Sequence, residues 1–240
     1  MRPLARWTMG KVAKNGWDVL SESIRLFPRV YPEFDLVVCY NNLSYDELIK
    51  LKSFGVPVHE QKSCQAEFPF NSSTDPKSKS FAWKLVPTRL HPNCHELWID
   101  NDIVIRRRIP EIDMWLSFED SAIISYGYNP DYGRFINSIA SCHTFCAGLF
   151  GLPPGFDFKS QIVKYCDGLP LYGFDEQGLV SLIVSEMSHI VIAPQNLDMF
   201  GMWAGPNRIR QITENVHFAR ANQPGKRHEP WRYYKLTTIP

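Results

Sequence analysis

Two aspartates spaced i, i+2, Asp100 and Asp102, interrupt an otherwise apolar run, Glu96-Leu-Trp-Ile-Asp-Asn-Asp-Ile-Val-Ile105. Carboxylates embedded among Leu97, Trp98, Ile99, Ile103, Val104 and Ile105 must be paired, hydrogen-bonded or bound to a cation, because burying them uncompensated costs several kcal/mol. A strand that bends after Asp100 brings both groups to one small, hard divalent ion, magnesium or manganese, which prefers oxygen ligands and can carry a phosphorylated substrate. The competing reading is a strand-end turn in which Asn101 and Asp102 bond local backbone.

Two aspartates alone leave a metal short of protein ligands, and His217, in Asn215-Val-His-Phe-Ala219, is the candidate third. Imidazole suits manganese better than magnesium. A lone histidine in a short strand-like segment is otherwise structural. Lys226 and Pro230-Trp231 follow it. Gly173-Phe-Asp-Glu-Gln-Gly178 puts Asp175, Glu176 and Gln177 at the start of an apolar helix. There the acids either serve the helix N-terminus through caps and dipole or supply a carboxylate for acceptor binding or proton abstraction. Lys84, in Phe81-Ala-Trp-Lys84, is either solvated or faces a phosphate or sugar hydroxyl.

The elements that must position these residues alternate short apolar runs with amphipathic segments, which predicts an α/β architecture. The end of a first strand falls at residues 6–9. Trp17, Leu20, Ile24 and Phe27 give a helix over 15–27, ended by Pro28. Strands follow at 34–40 and 56–60. Between them lies a helix over 45–54, with Ser44 and Glu47 as a capping box and Gly55 as its stop. Residues 62–79 form a long polar loop, of a length often tied to function. A helix over 81–90, disturbed near Pro87, precedes the Asp100/Asp102 strand. Downstream the pattern predicts a helix over 109–118, a strand over 122–125, a Gly- and Tyr-rich loop over 126–137 and a strand over 144–152. Helices over 158–166 and 175–187 come next, and a last central strand over 189–193. If the strand over 97–99 is central, both aspartates sit at the crevice outside the carboxyl ends of the strands.

Composition bounds the rest. The chain has 240 residues, 44% apolar and 13% aromatic, which suits one globular domain. With 26 basic and 25 acidic residues it has no nucleic-acid footprint. No apolar run approaches the roughly 18–20 residues that span a bilayer, and Met1-Arg-Pro-Leu-Ala-Arg-Trp7 has no apolar signal core. Cys39, Cys64, Cys94, Cys142, Cys146 and Cys166 form no CxxC pair, so reduced thiols and a cytoplasmic location are expected. Cys142-His143-x-x-Cys146 lacks the second pair that a zinc site needs.

The order of these pieces resembles a GT-A-fold glycosyltransferase, most closely the group of glycogenin and the bacterial lipopolysaccharide galactosyltransferases. Tyr31-Pro-Glu-Phe-Asp-Leu-Val-Val38 is similar to the strand that receives the nucleotide base. Phe81-Ala-Trp-Lys84-Leu85 resembles the segment whose basic residue contacts the donor. Trp98-Ile-Asp100-Asn-Asp102 matches the DxD motif that chelates manganese against a pyrophosphate. Phe145-Cys-Ala-Gly148-Leu-Phe150 resembles a strand lining the sugar pocket, with Cys146 and Ala147 where relatives have Asn-Ser. Glu176-Gln177-Gly178-Leu179 lines up with an Asp-Gln-x-Leu segment near the reacting carbon. His217-Phe218 with Lys226 and Pro230-Trp231 resembles the closing metal ligand and phosphate-binding lysine.

The resemblance implies a single GT-A, Rossmann-like domain over 1–240, with a mixed, mostly parallel sheet and helices on both faces. It implies Mn2+ or Mg2+ held by Asp100, Asp102 and His217, and a nucleoside-diphosphate sugar, UDP-linked by family expectation, against Thr8, Tyr40, Lys84, Asp100 and Lys226. The acceptor would be a carbohydrate or other hydroxyl. Asp175 or Glu176 would act as base for inversion; Gln177 or a carboxylate would steady the reacting carbon for retention. A second enzyme class, the haloacid-dehalogenase-like phosphatases, shares the local pattern Asp100-Asn-Asp102-Ile-Val104, although there it opens the domain. The non-enzymatic alternative is a domain that only binds a nucleotide sugar.

Overall fold

The computed structural model describes residues 1–10, 14–61, 82–128, 131–139, 144–199 and 215–218. The chain opens with β1 (Leu4–Met9), α1 (Lys14–Val30), β2 (Asp35–Tyr40), α2 (Tyr45–Lys52) and β3 (Val58–Glu60), followed by a 3-10 helix at Ala82–Leu85. Next come β4 (Glu96–Asp100), β5 (Ile103–Val104), α3 (Pro110–Trp115), β6 (Ala122–Tyr126) and a second 3-10 helix at Gly133–Ser138. The remainder is β7 (Phe145–Leu152), α4 (Phe158–Cys166), α5 (Asp175–Ser185), β8 (His189–Ile192), β9 (Asp198–Met199) and β10 (Val216–His217).

Seven strands form one sheet in the order β3-β2-β1-β4-β7-β6-β8. The strands β3, β2, β1 and β4 are parallel neighbours, and β6 is parallel to β8; β7 alone runs against β4 and β6. The period-2 alternation of side chains sends Ala5, Trp7, Leu97 and Ile99 to one face, packed against Leu20, Ile24 and Phe27 of α1 and Ile112 and Trp115 of α3. Trp98, Ile124, Phe150 and Leu152 go to the other, under Phe158 and Ile162 of α4 and Leu179 and Ile183 of α5. The expected mixed, mostly parallel sheet with helices on both faces is therefore present, and β4 is its fourth strand.

Several local expectations hold closely. The Ser44/Glu47 capping box is formed, and α2 ends before Gly55, whose φ is +74°. Others are corrected. Pro28 lies inside α1; the last turn persists because Tyr31 N–H still donates to Phe27 O at 2.8 Å and the Phe27, Tyr31 and Phe34 rings pack together beneath it. The helix expected over 81–90 is one 3-10 turn. The buried Arg6 guanidinium takes the carbonyls of Val86 and Pro87 (3.2 and 2.6 Å), acceptors that a continuing helix would use internally, and Pro87 has no N–H to offer. The strand at 189–192 is an edge, not a central strand, because β7 fills the position between β4 and β6. The loop expected over 62–79 lies outside the described residues.

Candidate functional site

The parallel strands β1, β2 and β4 end together. Thr8 is in register with Asp100 and Met9 with Tyr40, so Thr8, Tyr40 and Asp100 share the carboxyl edge of the sheet centre. After Asp100 the chain turns through Asn101-Asp102 and re-enters as β5, whose Ile103 and Val104 are fully buried. This is the bend that lets two carboxylates spaced i, i+2 converge.

His217 arrives from far along the chain. It lies on β10, which pairs antiparallel with β5 (His217 opposite Ile103) and parallel with β9. Phe218 N–H donates to Asp102 O at 2.8 Å, and Asn215 accepts from the backbone N–H groups of Arg106 and Arg107 at 2.8 and 3.1 Å. These bonds lock β10 beside the turn. As a result one ligand atom each from Asp100, Asp102 and His217 lies within 4.8 Å of the others.

The imidazole is tightly bracketed. Nε2 is 3.2 Å from Asp102 Oδ1, a buried oxygen without an aligned hydrogen-bond donor. Nδ1 is 3.9 Å from Cys146 Sγ. Gly148 lies against the ring, since a Cβ there would sit 2.4 Å from His217 Cε1. Pairing of β6 with β7 shifts register between Ile124, opposite Phe150, and Ser125, opposite Cys146, so residues 147–149 form a bulge at this point. Bulges commonly re-aim side chains beside sites.

Lys84 bridges two carboxylates: Nζ is 3.3 Å from Asp100 Oδ1 and 2.6 Å from Glu176 Oε1. It is not solvated. Burial disfavours its ammonium, but the Asp100 and Glu176 charges hold its pKa above the ordinary lysine range. Burial pushes the Asp100 carboxyl up to about 6; Lys84 opposes this and Asp102 reinforces it. Burial likewise disfavours charge on His217, yet the Asp102 carboxylate outweighs it and the imidazole pKa stands well above normal. A buried carboxylate oxygen, an imidazole nitrogen and a second carboxylate, gathered within 4.8 Å, fit a hard or borderline divalent cation.

The three residues opening α5 diverge. Glu176 faces Lys84. Asp175 instead accepts from the backbone N–H of Arg134 through Oδ1 and of Tyr172 through Oδ2, both at 2.9 Å, tying the 3-10 helix at Gly133–Ser138 to α5. Gly133, at φ +53°, is needed there because a Cβ would lie 2.2 Å from Asp175 Oδ1. Gln177 Nε2 donates to Asp131 O at 2.9 Å. Lys226 and Pro230-Trp231 lie outside the described residues, as do Cys142 and His143.

Sequence reading missed two supports. Arg6 and Glu96, neighbours across β1 and β4, form a fully buried ion pair at 3.0 Å, with Arg89 joining Glu96 at 3.2 Å. Arg6 holds the carbonyls beside Lys84, and Glu96 accepts from the N–H groups of Leu90 and His91. The signal was available: Arg6 alternates with Thr8 as Glu96 does with Asp100, two charges inside apolar strands that need each other. The second support is Cys146 with Gly148, visible only once His217 is docked. In the neighbouring triplet Arg106-Arg-Arg108, Arg106 pairs with Glu22, and the exposed Arg108 pairs with Glu33 and Asp113.

No protein-family profile matches the chain, and no curated protein resembles it in sequence. Solved structures do resemble it in fold. The galactosyltransferase LgtC, in complex with donor and acceptor sugar analogs, aligns at TM-score 0.56 and 12% identity over 99% of this chain and 97% of that one. The glycosyltransferase GlyE of Streptococcus pneumoniae TIGR4 aligns at TM-score 0.60 and 9% identity, over 97% of this chain and 59% of its own. Mouse xyloside xylosyltransferase 1 aligns at 0.54 and 12%, over 93% and 99%. The architecture is the GT-A fold of these transferases.

Proposed function

We propose that this protein is a divalent-metal-dependent glycosyltransferase that moves a sugar from a nucleoside-diphosphate sugar, a UDP-sugar by family resemblance, to an acceptor hydroxyl. The observation that carries the reading is the convergence of Asp100, Asp102 and His217, with the Lys84–Glu176 pair against Asp100, at the carboxyl edge of a GT-A sheet.

In this reading Asp100, Asp102 and His217 hold Mn2+ or Mg2+, which when bound neutralises charge developing on the departing diphosphate. Thr8 and Tyr40, at the ends of adjacent strands, face the nucleotide. Lys84, kept cationic by Asp100 and Glu176, gives the donor a fixed positive charge that needs no reorganisation during reaction. Glu176 is the carboxylate at α5 with a side chain turned to this cluster, and it orients sugar or acceptor hydroxyls through Lys84. Asp175 is assigned to holding the loop, since backbone donors take both its oxygens. Gln177 and Lys226 keep the roles that the resemblance implies, near the reacting carbon and on the phosphates. A cytoplasmic site of action remains the expectation from thiol usage, and no helix among the described residues is long and apolar enough to cross a membrane.

Calorimetric titration tests this. UDP should bind measurably with Mn2+ present and far more weakly without it, and Asp102→Ala should abolish the metal-dependent binding while the protein still melts cooperatively. Absence of nucleotide binding with Mn2+ present, together with release of phosphate from p-nitrophenyl phosphate, would favour the phosphatase class instead.

A further inference from the structure

The imidazole of His217 has two nitrogens with different neighbours, and that difference assigns a role to a residue outside the ligand set. Nε2 faces Asp102 Oδ1 at 3.2 Å; Nδ1 faces Cys146 Sγ at 3.9 Å. The sulfur also receives the Gly148 N–H at 3.4 Å. It therefore already accepts one N–H, in a wall where Cys146 and His217 are each more than nine-tenths buried. The ring has little freedom to turn, because Gly148 lies against it and leaves no room for so much as a methyl group. A histidine can offer a metal only the nitrogen that carries no proton, and the partner of the other nitrogen decides which one that is.

We infer that Cys146 is a positioning residue for the metal centre: its Sγ accepts the Nδ1–H of His217, fixing the tautomer whose bare Nε2 points at Asp102 and the cation. The usual partners of a ligating histidine's second nitrogen are a carboxylate, a carbonyl or water. Here the bulge at residues 147–149 brings a thiol to that position and the glycine of the same bulge supplies the flat surface behind the ring. One irregularity in β7 thus provides both the acceptor and the cradle. The inference rests on the metal reading of Asp100, Asp102 and His217.

Mn2+ titration with free ion read by electron paramagnetic resonance tests it, on the wild type, Cys146→Ser and Cys146→Val, each with its ion-free melting temperature recorded. Valine removes the acceptor and fills the space with a slightly larger apolar side chain; serine keeps an acceptor. Cys146→Val should weaken Mn2+ binding about 10-fold or more, the usual cost of losing a histidine's outer partner, and Cys146→Ser should remain within about 3-fold of wild type. Should the valine variant fail to fold, Cys146→Ala removes the acceptor with no added bulk and is expected to show the same loss. Unchanged affinity in the valine or alanine variant overturns the inference, and so does a serine variant as weak as valine. A wild type that binds no Mn2+ sinks the metal reading itself, an outcome distinguishable from both.

Discussion

At the scale of single residues, the site is an arrangement of charges that repel or attract until a cation enters. Asp100, pushed up to about 6 by burial, binds a proton in the folded, ion-free protein over a range where the unfolded chain has released it. Its raised pKa therefore contributes stability below the normal aspartate range, and that contribution is lost as pH rises from about 4 to about 6. His217 behaves in the same sense at higher pH, its pKa raised by Asp102 against the effect of burial. A divalent ion competes with both protons. The rise in melting temperature on adding Mn2+ should thus be small near pH 5 and several-fold larger near pH 7.5. Scanning calorimetry with and without Mn2+ across that range checks it; an increment independent of pH would mean that these groups do not bind the ion. The aspartate pair was legible in the sequence because charge inside an apolar strand demands a partner. Lys84 was only half legible: its neighbours on the chain are ordinary, and the carboxylates that hold it come from β4 and α5.

At the scale of elements, what could be read depended on whether the deciding interactions were local. Capping at Ser44 and the full length of α4 follow from neighbouring residues, and the structure agrees with them; it adds an N-cap at Asp157, whose side chain accepts from Ser160 N–H. The segment after Lys84 does not behave as its apolar spacing suggests, because Arg6 of β1 competes for its carbonyls. Pro28 fails to end α1 because aromatic packing from Phe34 outweighs a missing hydrogen bond. Gly178 gives another case of a distant constraint: on α5 it looks like a helix weakness, but a Cβ there would sit 2.0 Å from Tyr132 O. Gly178→Ala should therefore destabilise the protein by about 1–3 kcal/mol, although alanine favours helices by roughly 1 kcal/mol. The check is denaturant unfolding, and a more stable variant would show that α5 is free to move off the 3-10 helix at Gly133–Ser138.

At the scale of the whole molecule, the alternation of strands and helices was sufficient to predict an α/β architecture, while the mixed sheet came from the family resemblance and the central place of β4 had only been a condition. Alternation could not order the strands: β7 enters antiparallel between β4 and β6, and β8 is left at the rim. That order decides which loops surround Asp100. On the proposed function, a nucleotide sugar bound there would touch β1, β2 and β4 together and should stabilise the fold as a unit. At a concentration about 100 times its Kd, the matching donor with Mn2+ should add about 2.7 kcal/mol, or about 5–10 °C in melting temperature for a chain of this size. A thermal-shift panel of nucleotide sugars reads this directly and names the donor by the largest increment. No increment from any donor would leave the fold without the ligand proposed for it.

The two-residue strand that carries His217 has one more effect. It belongs to the small three-stranded sheet β5-β10-β9, and through β5 it is stitched to the very turn that bears Asp102. All seven strands of the large sheet precede it in the chain, so an ion gripped by Asp100, Asp102 and His217 would act as a clasp between distant parts of the polypeptide. Metal occupancy would then report on whether β10 is seated, and pulling the ion away would loosen that short strand before it disturbed the large sheet.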